Sequence, residues 1–142
     1  MDNKSFTILI IEDEPDISEL IEYNLSQSGY SILVSNNGEK GIENTRKHLP
    51  DLILLDLMLP GIHGIDVCRI LKNDKYTSSV SIIMLTALGQ EEDIIKGLET
   101  GADDYVTKPF SFPVLEARIQ SVLRRVKNED IENENVSISG IV

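Results

Sequence analysis

Four hydrophobic runs in this chain each end in polar residues that are suited to phosphoryl chemistry. In an open parallel α/β sheet the ligand site lies beyond the carboxyl ends of the strands, so the strand ends share one edge. We therefore expect three carboxylates, a hydroxyl and an ammonium group to meet in one small cleft. The runs and their ends are 6–11 before Glu12-Asp13-Glu14, 52–55 before Asp56, 80–85 before Thr86, and 104–107 before Lys108-Pro109.

The spacing of these runs also predicts the fold. The runs are continuously apolar, which indicates strands that are buried on both faces of a parallel sheet. Helical patterns separate them, so we predict an α/β fold with a doubly wound, five-stranded parallel sheet and right-handed crossovers. The predicted strands are about 6–11, 31–35, 51–56, 80–85 and 103–107, and the helices are about 15–25, 38–48, 64–72, 90–100 and 112–126. The core-facing stripe of the first helix is predicted to contain Ile17, Leu20, Ile21 and Leu25.

Composition limits the classes of function. The net charge is −11 and the pI is near 4.5, so this stretch should repel nucleic acid and anionic membranes. No apolar run approaches the ~20 residues of a membrane span, and residues 1–5 show no signal-peptide pattern. The single cysteine, Cys68, cannot close an internal disulfide, which suits a reducing compartment. We therefore expect a cytoplasmic protein that has no membrane partner.

The composition changes after Val126. Residues 127–135 are polar and acidic without an apolar period, and this pattern predicts a linker. Residues 136–142 alternate in hydrophobicity like a strand, yet a finished five-stranded sheet offers this strand no partner. A frayed tail is one interpretation, and the first strand of a second, missing domain is the favoured one. We therefore assign residues 1–126 to one domain and 127–142 to the linker and this strand.

The acidic strand ends predict a metal site. Asp13 and Asp56 follow neighbouring strands and would supply hard oxygen ligands, which Mg²⁺ prefers together with waters and phosphate oxygens. Mn²⁺ is an alternative, and Glu12 is placed to orient a metal-bound water. An acidic turn before a helix also has a simpler origin, since the helix dipole favours it. The reactive groups at the other strand ends favour the metal site.

Asp56 follows a wholly apolar strand, so its carboxylate needs a positively charged partner. Such a carboxylate can attack phosphorus and carry an aspartyl phosphate. Phosphoryl transfer depends on positioning and on positive charge around the equatorial oxygens, which the metal and Lys108 would supply. The hydroxyl of Thr86 and backbone N–H groups near Ala87 would add donors. The bond between Lys108 and Pro109 is a cis-peptide candidate, because the loop must aim Lys108 back into the cleft.

Taken together, these residues resemble the receiver domain of bacterial two-component response regulators. The resemblance covers residues 5–126, and its later segments look most like the OmpR/PhoB subfamily of transcription factors. It implies a flavodoxin-like (βα)5 receiver fold and a C-terminal winged-helix DNA-binding domain, whose first strand the ending "VSISGIV" resembles. The motifs that carry it are Glu12-Asp13, Asp56 in "DLILLDLMLPG", Thr86-Ala87 in "IIMLTA", and the segment "GLETGADDYVTKPF".

The resemblance implies roles for the site residues. A sensor histidine kinase would donate a phosphoryl group from its phosphohistidine to Asp56. The implied Mg²⁺ ligands are Asp13, Asp56 and the main-chain carbonyl of Met58, with Glu12 acting through water. The implied switch residues are Thr86 and Tyr105, with Lys108 on the phosphoryl oxygens.

The resemblance also implies a two-fold homodimer, formed on phosphorylation through the fourth helix, fifth strand and fifth helix. Ile94 and Val114 stand where the subfamily pairs a basic and an acidic residue, so we expect an unusually apolar seam. Asp104 and Arg118 retain the charged pair. The predicted dimer surface is Ile94, Ile95, Leu98, Asp104, Val114 and Arg118. DNA would be bound only through the missing C-terminal domain.

Three other classes of function compete with this interpretation. An aspartyl-phosphate phosphatase of the haloacid dehalogenase type needs a second aspartate two residues after the nucleophile, where this chain has Met58. A flavin-binding module needs a Ser/Thr/Gly-rich loop where residues 12–14 are acidic. A stand-alone receiver that signals by protein contact is disfavoured by the 127–142 tail. We therefore expect a phosphorylation-activated regulator of transcription whose only catalysis is phosphorylation and dephosphorylation of its own aspartate.

Overall fold

The computed structural model describes residues 6–87 and 91–138, and within them the predicted alternation of strands and helices is confirmed. The elements are β1 Thr7–Ile11, α1 Pro15–Gln27, β2 Ser31–Ser35, α2 Gly38–His48, β3 Leu52–Asp56, α3 Gly64–Asn73, β4 Ser81–Ala87, α4 Glu91–Thr100, β5 Asp104–Lys108 and α5 Phe112–Ile138. All strand pairs are parallel, in the order β2-β1-β3-β4-β5. None of the helices in these ranges has the length and apolar character needed to cross a membrane.

Two hydrophobic layers hold the helices on opposite faces of the sheet. Ile8 and Ile10 of β1 pack with residues of α1 and α5 on one face. Leu9 and Ile11 pack with residues of α2 and α3 on the other. Because β1 and β3 are buried on both faces, their sequences are continuously apolar, as is typical of central parallel strands.

The site lies where the chain reverses its direction across the sheet. β1 and β3 are neighbours, with Ile11 beside Leu55. The chain leaves β1 toward β2 on one side and leaves β3 toward β4 on the other. The two connections therefore diverge and open a crevice at the strand ends, which is the usual ligand site of such sheets. Glu12 follows β1 and Asp56 ends β3, so both carboxylates stand at this crevice.

The turn after β3 lies close to the strand end because it contains glycine. The N–H of Gly64 donates to the carbonyl of Leu57 at 3.0 Å. A Cβ at Gly64 would collide with the carbonyl oxygen of Asp56. Gly61 in the same turn has φ +74°, a conformation that glycine adopts without steric cost. The backbone of this turn can therefore approach the crevice.

The prediction that Leu20 faces the core is wrong. Ile21 and Leu25 are buried and Ile17 is half-buried, whereas Leu20 is 54% exposed. Residues 17, 21 and 25 lie four apart on one line of the helix, while a neighbour in sequence is turned by about 100°. Leu20 therefore lies beside the core stripe and faces solvent.

The predicted end of the last helix is also wrong. The sequence predicts a helix to about Val126, but α5 continues to Ile138. The assignment of residues 127–142 to a linker and the first strand of a further domain stays a prediction. Residues 127–138 contain no glycine or proline and are rich in glutamate, a good helix former. A helix that is already nucleated by packing can propagate through such a sequence. Residues 139–142, the rest of the predicted strand, lie outside the described residues.

Candidate functional site

The strand ends meet as the sequence predicts. Carboxylate oxygens of Glu12, Asp13 and Asp56 all lie within 4.8 Å of one another. Glu12 and Asp56 are buried, and Asp13 is partly exposed at the mouth of the cleft. Lys108, at the end of β5, reaches across the sheet into the same cleft. The peptide bond between Lys108 and Pro109 is cis, the conformation for which the sequence makes it a candidate.

Lys108 neutralises part of this negative charge. Its Nζ lies 2.8 Å from Oε1 of Glu12 and 3.4 Å from Oδ1 of Asp56. Burial alone would lower the pKa of Lys108, but its hydrogen bond to Glu12 and the negative charges of Asp56 and Glu12 raise it above the ordinary value. The ammonium group therefore stays charged in the cleft.

Glu12 experiences the opposite balance. Burial, followed by its hydrogen bond and like-charge repulsion with Asp56, raises the pKa of Glu12 to about 7. The ion pair with Lys108 opposes this shift but does not cancel it. The short contact to the ammonium favours the ionised form of Glu12, whereas the raised pKa favours the protonated form. The raised pKa of Glu12 follows first from its burial and then from its interaction with Asp56, and the contact with Lys108 is the one that Glu12 makes when it is ionised.

The residues of the cleft fit a divalent cation that prefers oxygen. Three carboxylates share the cleft with the single ammonium of Lys108, so acidic groups outnumber the basic one. Carboxylate oxygens are hard ligands of the kind that Mg²⁺ takes, one or two at a time, with waters completing its shell. The cluster can therefore hold a metal ion. The backbone N–H of Met58 donates to Oδ1 of Asp56 at 3.1 Å, which brings the Met58 backbone to the rim of the cluster.

Thr86 lies at the end of β4, buried beside the cleft. Among the described residues, its Oγ1 donates one long hydrogen bond, of 3.5 Å, to the carbonyl of Ala87. A bond of that length holds the hydroxyl weakly. Tyr105 lies on the adjacent β5, partly buried against the hydrophobic layer that contains α3. The parallel register places Thr86 beside Thr107, two residues along β5 from Tyr105.

The predicted dimer residues lie on α4, β5 and α5. Three of their apolar side chains are exposed by about half: Ile95 by 55%, Leu98 by 43% and Val114 by 50%. Ile94 is half-buried. Arg118 of α5 lies 3.3 Å from Asp104 of β5, so the structure brings the predicted charged pair together within one chain.

Sequence reasoning missed two features of the cleft. It did not predict the ion pair between Lys108 and Glu12. Burying a carboxylate beside two others is costly, and this cost could have indicated that Glu12 has a cationic partner. It also missed an apolar hollow of about 490 Å³ beside Lys108. Leu20 lines this hollow together with Ile17 and Phe110. The exposure of Leu20, a large apolar residue, is the signal from which the hollow could have been found.

The crevice of this α/β domain brings together carboxylates, a lysine and a buried hydroxyl. Domains of this class are suited to bind a metal and a phosphoryl group. The sequence matches the response regulator receiver domain family over residues 8–120. The chain therefore belongs to the response regulator receiver domain family.

Similar proteins fall in the same family. The phosphate regulon transcriptional regulatory protein PhoB of Rhizobium meliloti is 47% identical over 86% of this chain and 54% of its own length. The DNA-binding response regulator MtrA of Mycolicibacterium smegmatis is 45% identical over 99% of this chain and 60% of its own length. The chain thus spans between half and two thirds of these relatives.

Solved structures agree with the fold. The crystal structure of a putative response regulator from Chloroflexus aurantiacus has a TM-score of 0.81 and 35% identity, covering 84% of this chain and 98% of that one. The receiver domain of TorR, a response regulator of the TMAO respiratory system, has a TM-score of 0.79 and 38% identity, covering 85% and 98%. The flavodoxin-like fold predicted from the sequence is confirmed.

Proposed function

We propose that this chain is the phosphoryl-accepting part of a transcriptional response regulator, and that Asp56 is its phosphorylation site. The observation that carries the proposal is the position of Asp56, 4% exposed, at a strand end with Lys108 Nζ 3.4 Å away and two further carboxylates beside it. A carboxylate that is held this way is a nucleophile already surrounded by the charges that a phosphoryl group needs.

The donor is a phosphohistidine on a sensor histidine kinase. A carboxylate oxygen of Asp56 attacks phosphorus, the P–N bond breaks, and the imidazole leaves with the bonding electrons. Asp13, Asp56 and the main-chain carbonyl of Met58 would hold Mg²⁺, with Glu12 acting through water. The bound Mg²⁺ supplies positive charge to the phosphoryl oxygens. Lys108 moves from Glu12 to a phosphoryl oxygen.

The apolar hollow beside Lys108 gives the kinase a place to bind. The kinase must bring its histidine within bonding distance of Asp56, so it must contact the rim of the cleft. Leu20 and Phe110 form an apolar part of that rim and would lose water on contact. We infer that this hollow is part of the kinase contact.

The chain is a regulator that acts on its own aspartate, rather than a phosphatase for other substrates. A phosphatase of this chemistry needs a general acid two residues after the nucleophile. That position is Met58, whose side chain is largely exposed and carries no proton to donate. Turnover is therefore limited to gain and loss of the phosphoryl group on Asp56.

Phosphorylation would be reported through Thr86 and Tyr105 to α4, β5 and α5. The phosphoryl group brings charge and three acceptor oxygens, and the weakly held hydroxyl of Thr86 is placed to donate to one of them. Tyr105 would turn into the space that Thr86 leaves. The active form would be a two-fold dimer through Ile94, Ile95, Leu98, Asp104, Val114 and Arg118.

A C-terminal DNA-binding domain would be the effector, and the protein would act in the cytoplasm. Curated relatives, of which the matched region is about half to two thirds, include proteins described as DNA-binding or transcriptional regulators. The net charge of −11 on this chain argues that DNA contacts belong to another domain. A stand-alone receiver remains the alternative, and the length of the native gene product distinguishes the two.

The test is intact mass spectrometry after treatment with acetyl phosphate and Mg²⁺. The wild type should gain one phosphoryl group, and excess EDTA should abolish the gain. Asp56→Asn should gain none. Asp66→Asn is a matched control, because Asp66 is a half-exposed aspartate at the start of α3, paired with Arg69 rather than Lys108. A normal mass gain in Asp56→Asn would refute the assignment.

A further inference from the structure

Met58 is a large apolar residue that lies at the surface beside the carboxylate cleft. Its side chain is 61% exposed, whereas its neighbours Leu57 and Leu59 are each 3% exposed. The two leucines anchor the segment on both sides, so the side chain between them faces solvent. Methionine is flexible and polarizable, and in most proteins it fills gaps in apolar cores. A methionine that is presented to water is instead open to chemistry at its sulfur atom.

The backbone of Met58 is fixed to the cleft. Its N–H donates to Oδ1 of Asp56 at 3.1 Å. The N–H of Leu57 donates to the carbonyl of Leu85 at 3.0 Å, and the carbonyl of Leu57 accepts the N–H of Gly64 at 3.0 Å. These bonds hold the segment from both sides. A chemical change on the Met58 side chain therefore cannot be relieved by withdrawal of the backbone without loss of the contact to Asp56.

Among the residues that the structure describes, three contain sulfur, and only Met58 is exposed. Met84 of β4 is 3% exposed, and Cys68 of α3 is fully buried. Burial raises the pKa of the Cys68 thiol to about 11, so the reactive thiolate is scarce near neutral pH. Of these three residues, a water-soluble oxidant therefore meets the thioether of Met58 first.

Met58 lines a hollow between α3 and α4 that has a volume of about 360 Å³. The polar residues of its lining are His63, Asp66, Arg69, Asp93 and Lys96. Arg69 pairs with Asp66 at 2.6 Å, whereas Lys96 forms no ion pair within the described ranges. A thioether accepts hydrogen bonds only weakly, but oxidation makes the side chain polar. The ammonium of Lys96 is therefore available to the oxygen of an oxidised Met58.

We propose that Met58 is a site of oxidation by hydrogen peroxide, and that its sulfoxide slows phosphoryl transfer to Asp56. A lone pair of the sulfur attacks one peroxide oxygen and the O–O bond breaks. The proton on the transferred oxygen passes to the departing hydroxide, which leaves as water. Sulfur loses two electrons and the peroxide gains them. The oxidation is independent of the proposed function, whereas its effect on Asp56 rests on that function.

The effect on phosphoryl transfer follows from charge. The donor brings an anionic phosphoryl group to a cleft in which acidic groups outnumber the basic one. The sulfoxide oxygen adds partial negative charge two residues from Asp56, and a Lys96 that it holds is withdrawn from the approaching anion. An opposing interaction of the size of one hydrogen bond corresponds to a loss of rate of about two- to tenfold.

The first measurement is peptide mass spectrometry of the whole chain after treatment with dilute hydrogen peroxide. The peptide that contains Met58 should gain one oxygen atom before the peptides that contain Met84 and Cys68 change. No oxidation at Met58, or earlier oxidation of either buried residue, would overturn the assignment.

The second measurement is the rate at which the chain gains a phosphoryl group from acetyl phosphate and Mg²⁺, before and after peroxide. The oxidised chain should react about two- to tenfold more slowly. Treatment with both methionine sulfoxide reductases, one for each epimer, should restore the rate. An unchanged rate in a chain that is fully oxidised at Met58, or no recovery after reduction, would refute the effect.

Two variants assign the effect to one sulfur atom, with each variant compared only with itself before and after peroxide. Met58→Leu keeps an apolar side chain of similar volume without sulfur, so peroxide should not change its rate. Met84→Leu is the matched control, because it removes a buried sulfur and should remain as sensitive as the wild type. Sensitivity that persists in Met58→Leu, or that disappears in Met84→Leu, would refute Met58 as the site.

The two readouts separate this proposal from the proposed function. A wild type that gains no phosphoryl group even before oxidation would refute the proposed function and, with it, the effect on Asp56. The oxygen gain at Met58 would still decide whether this residue is the site of oxidation.

Discussion

The activated dimer should be held mainly by apolar contact, and its strength can be worked out from the exposed side chains. Ile95, Leu98 and Val114 are each exposed by about half. Full burial of such a side chain contributes about 1.5–3 kcal/mol, so covering the exposed half contributes about 1 kcal/mol. Three side chains on each of two subunits give about 6 kcal/mol before the cost of association. The pair of Asp104 and Arg118 is already formed within one chain, and even if it were exchanged across the dimer a partly exposed pair contributes only about 0–1 kcal/mol.

The substitution that tests this sum is Ile95→Lys in the beryllofluoride-activated chain. It removes about 1 kcal/mol from each side of the two-fold axis, so the dimer should weaken about 30-fold. The dimer constant of the wild type should change little between about 0.1 M and about 1 M NaCl, although the Debye length falls from about 10 Å to about 3 Å. Sedimentation equilibrium at both salt concentrations measures both effects.

Leu20→Lys is the matched control, because Leu20 has nearly the same exposure but lies on α1. It should leave the dimer constant unchanged. A steep loss of dimer with salt would mean that ion pairs dominate the contact. An Ile95→Lys chain that dimerises like the wild type would place the dimer surface elsewhere.

Three further predictions concern buried polar groups. Lys108→Ala should keep or raise affinity for Mg²⁺ at Asp13 and Asp56, since the cleft becomes more negative; calorimetry that found a large loss would contradict this. Because the pKa of Glu12 rises from 4.5 to about 7 on folding, the metal-free native state binds the extra proton, and the free energy of unfolding should fall as pH rises through that window. Urea titrations should show that Glu12→Gln removes this slope, and an unchanged slope would refute it. The buried hydroxyl of Tyr30 has no hydrogen-bond partner in the described structure, so Tyr30→Phe should be neutral or stabilise by about 1 kcal/mol in thermal unfolding.

The sequence predicts the strands and the cluster of carboxylates because both depend on local signals. A continuous apolar run indicates a central parallel strand, and a polar residue after it must lie at the ligand edge. Asp13 and Asp56 could therefore be placed together without knowing any side-chain conformation. The pairing of Lys108 with Glu12 could not, because it joins residues 96 positions apart through two particular rotamers.

Three features of the fold escaped because their causes are not periodic. Leu20 fits the helical pattern as well as its neighbours do. It is exposed because the buried face of α1 is too narrow to include it, and the sequence pattern does not show that width. The length of α5 depends on whether a packed helix continues through a polar segment, and polarity alone does not indicate where it stops. Leu49 takes a conformation that its residue type argues against, so no propensity rule would predict it.

The route proposed for the signal is short, which explains how one phosphoryl group could change a surface on another part of the domain. Asp56 lies beside Leu85 in the sheet, one residue before Thr86, and Thr86 lies beside Thr107 of β5. The hydrogen bond from the Thr86 hydroxyl to Ala87 is long, so little stabilisation would be lost from that bond if the hydroxyl turned toward a phosphoryl oxygen. A few kcal/mol of new charge-assisted hydrogen bonding is then enough to reverse a two-state equilibrium. Because β5 also carries Asp104 and Tyr105, movement at its end would reach the proposed dimer surface along a single strand.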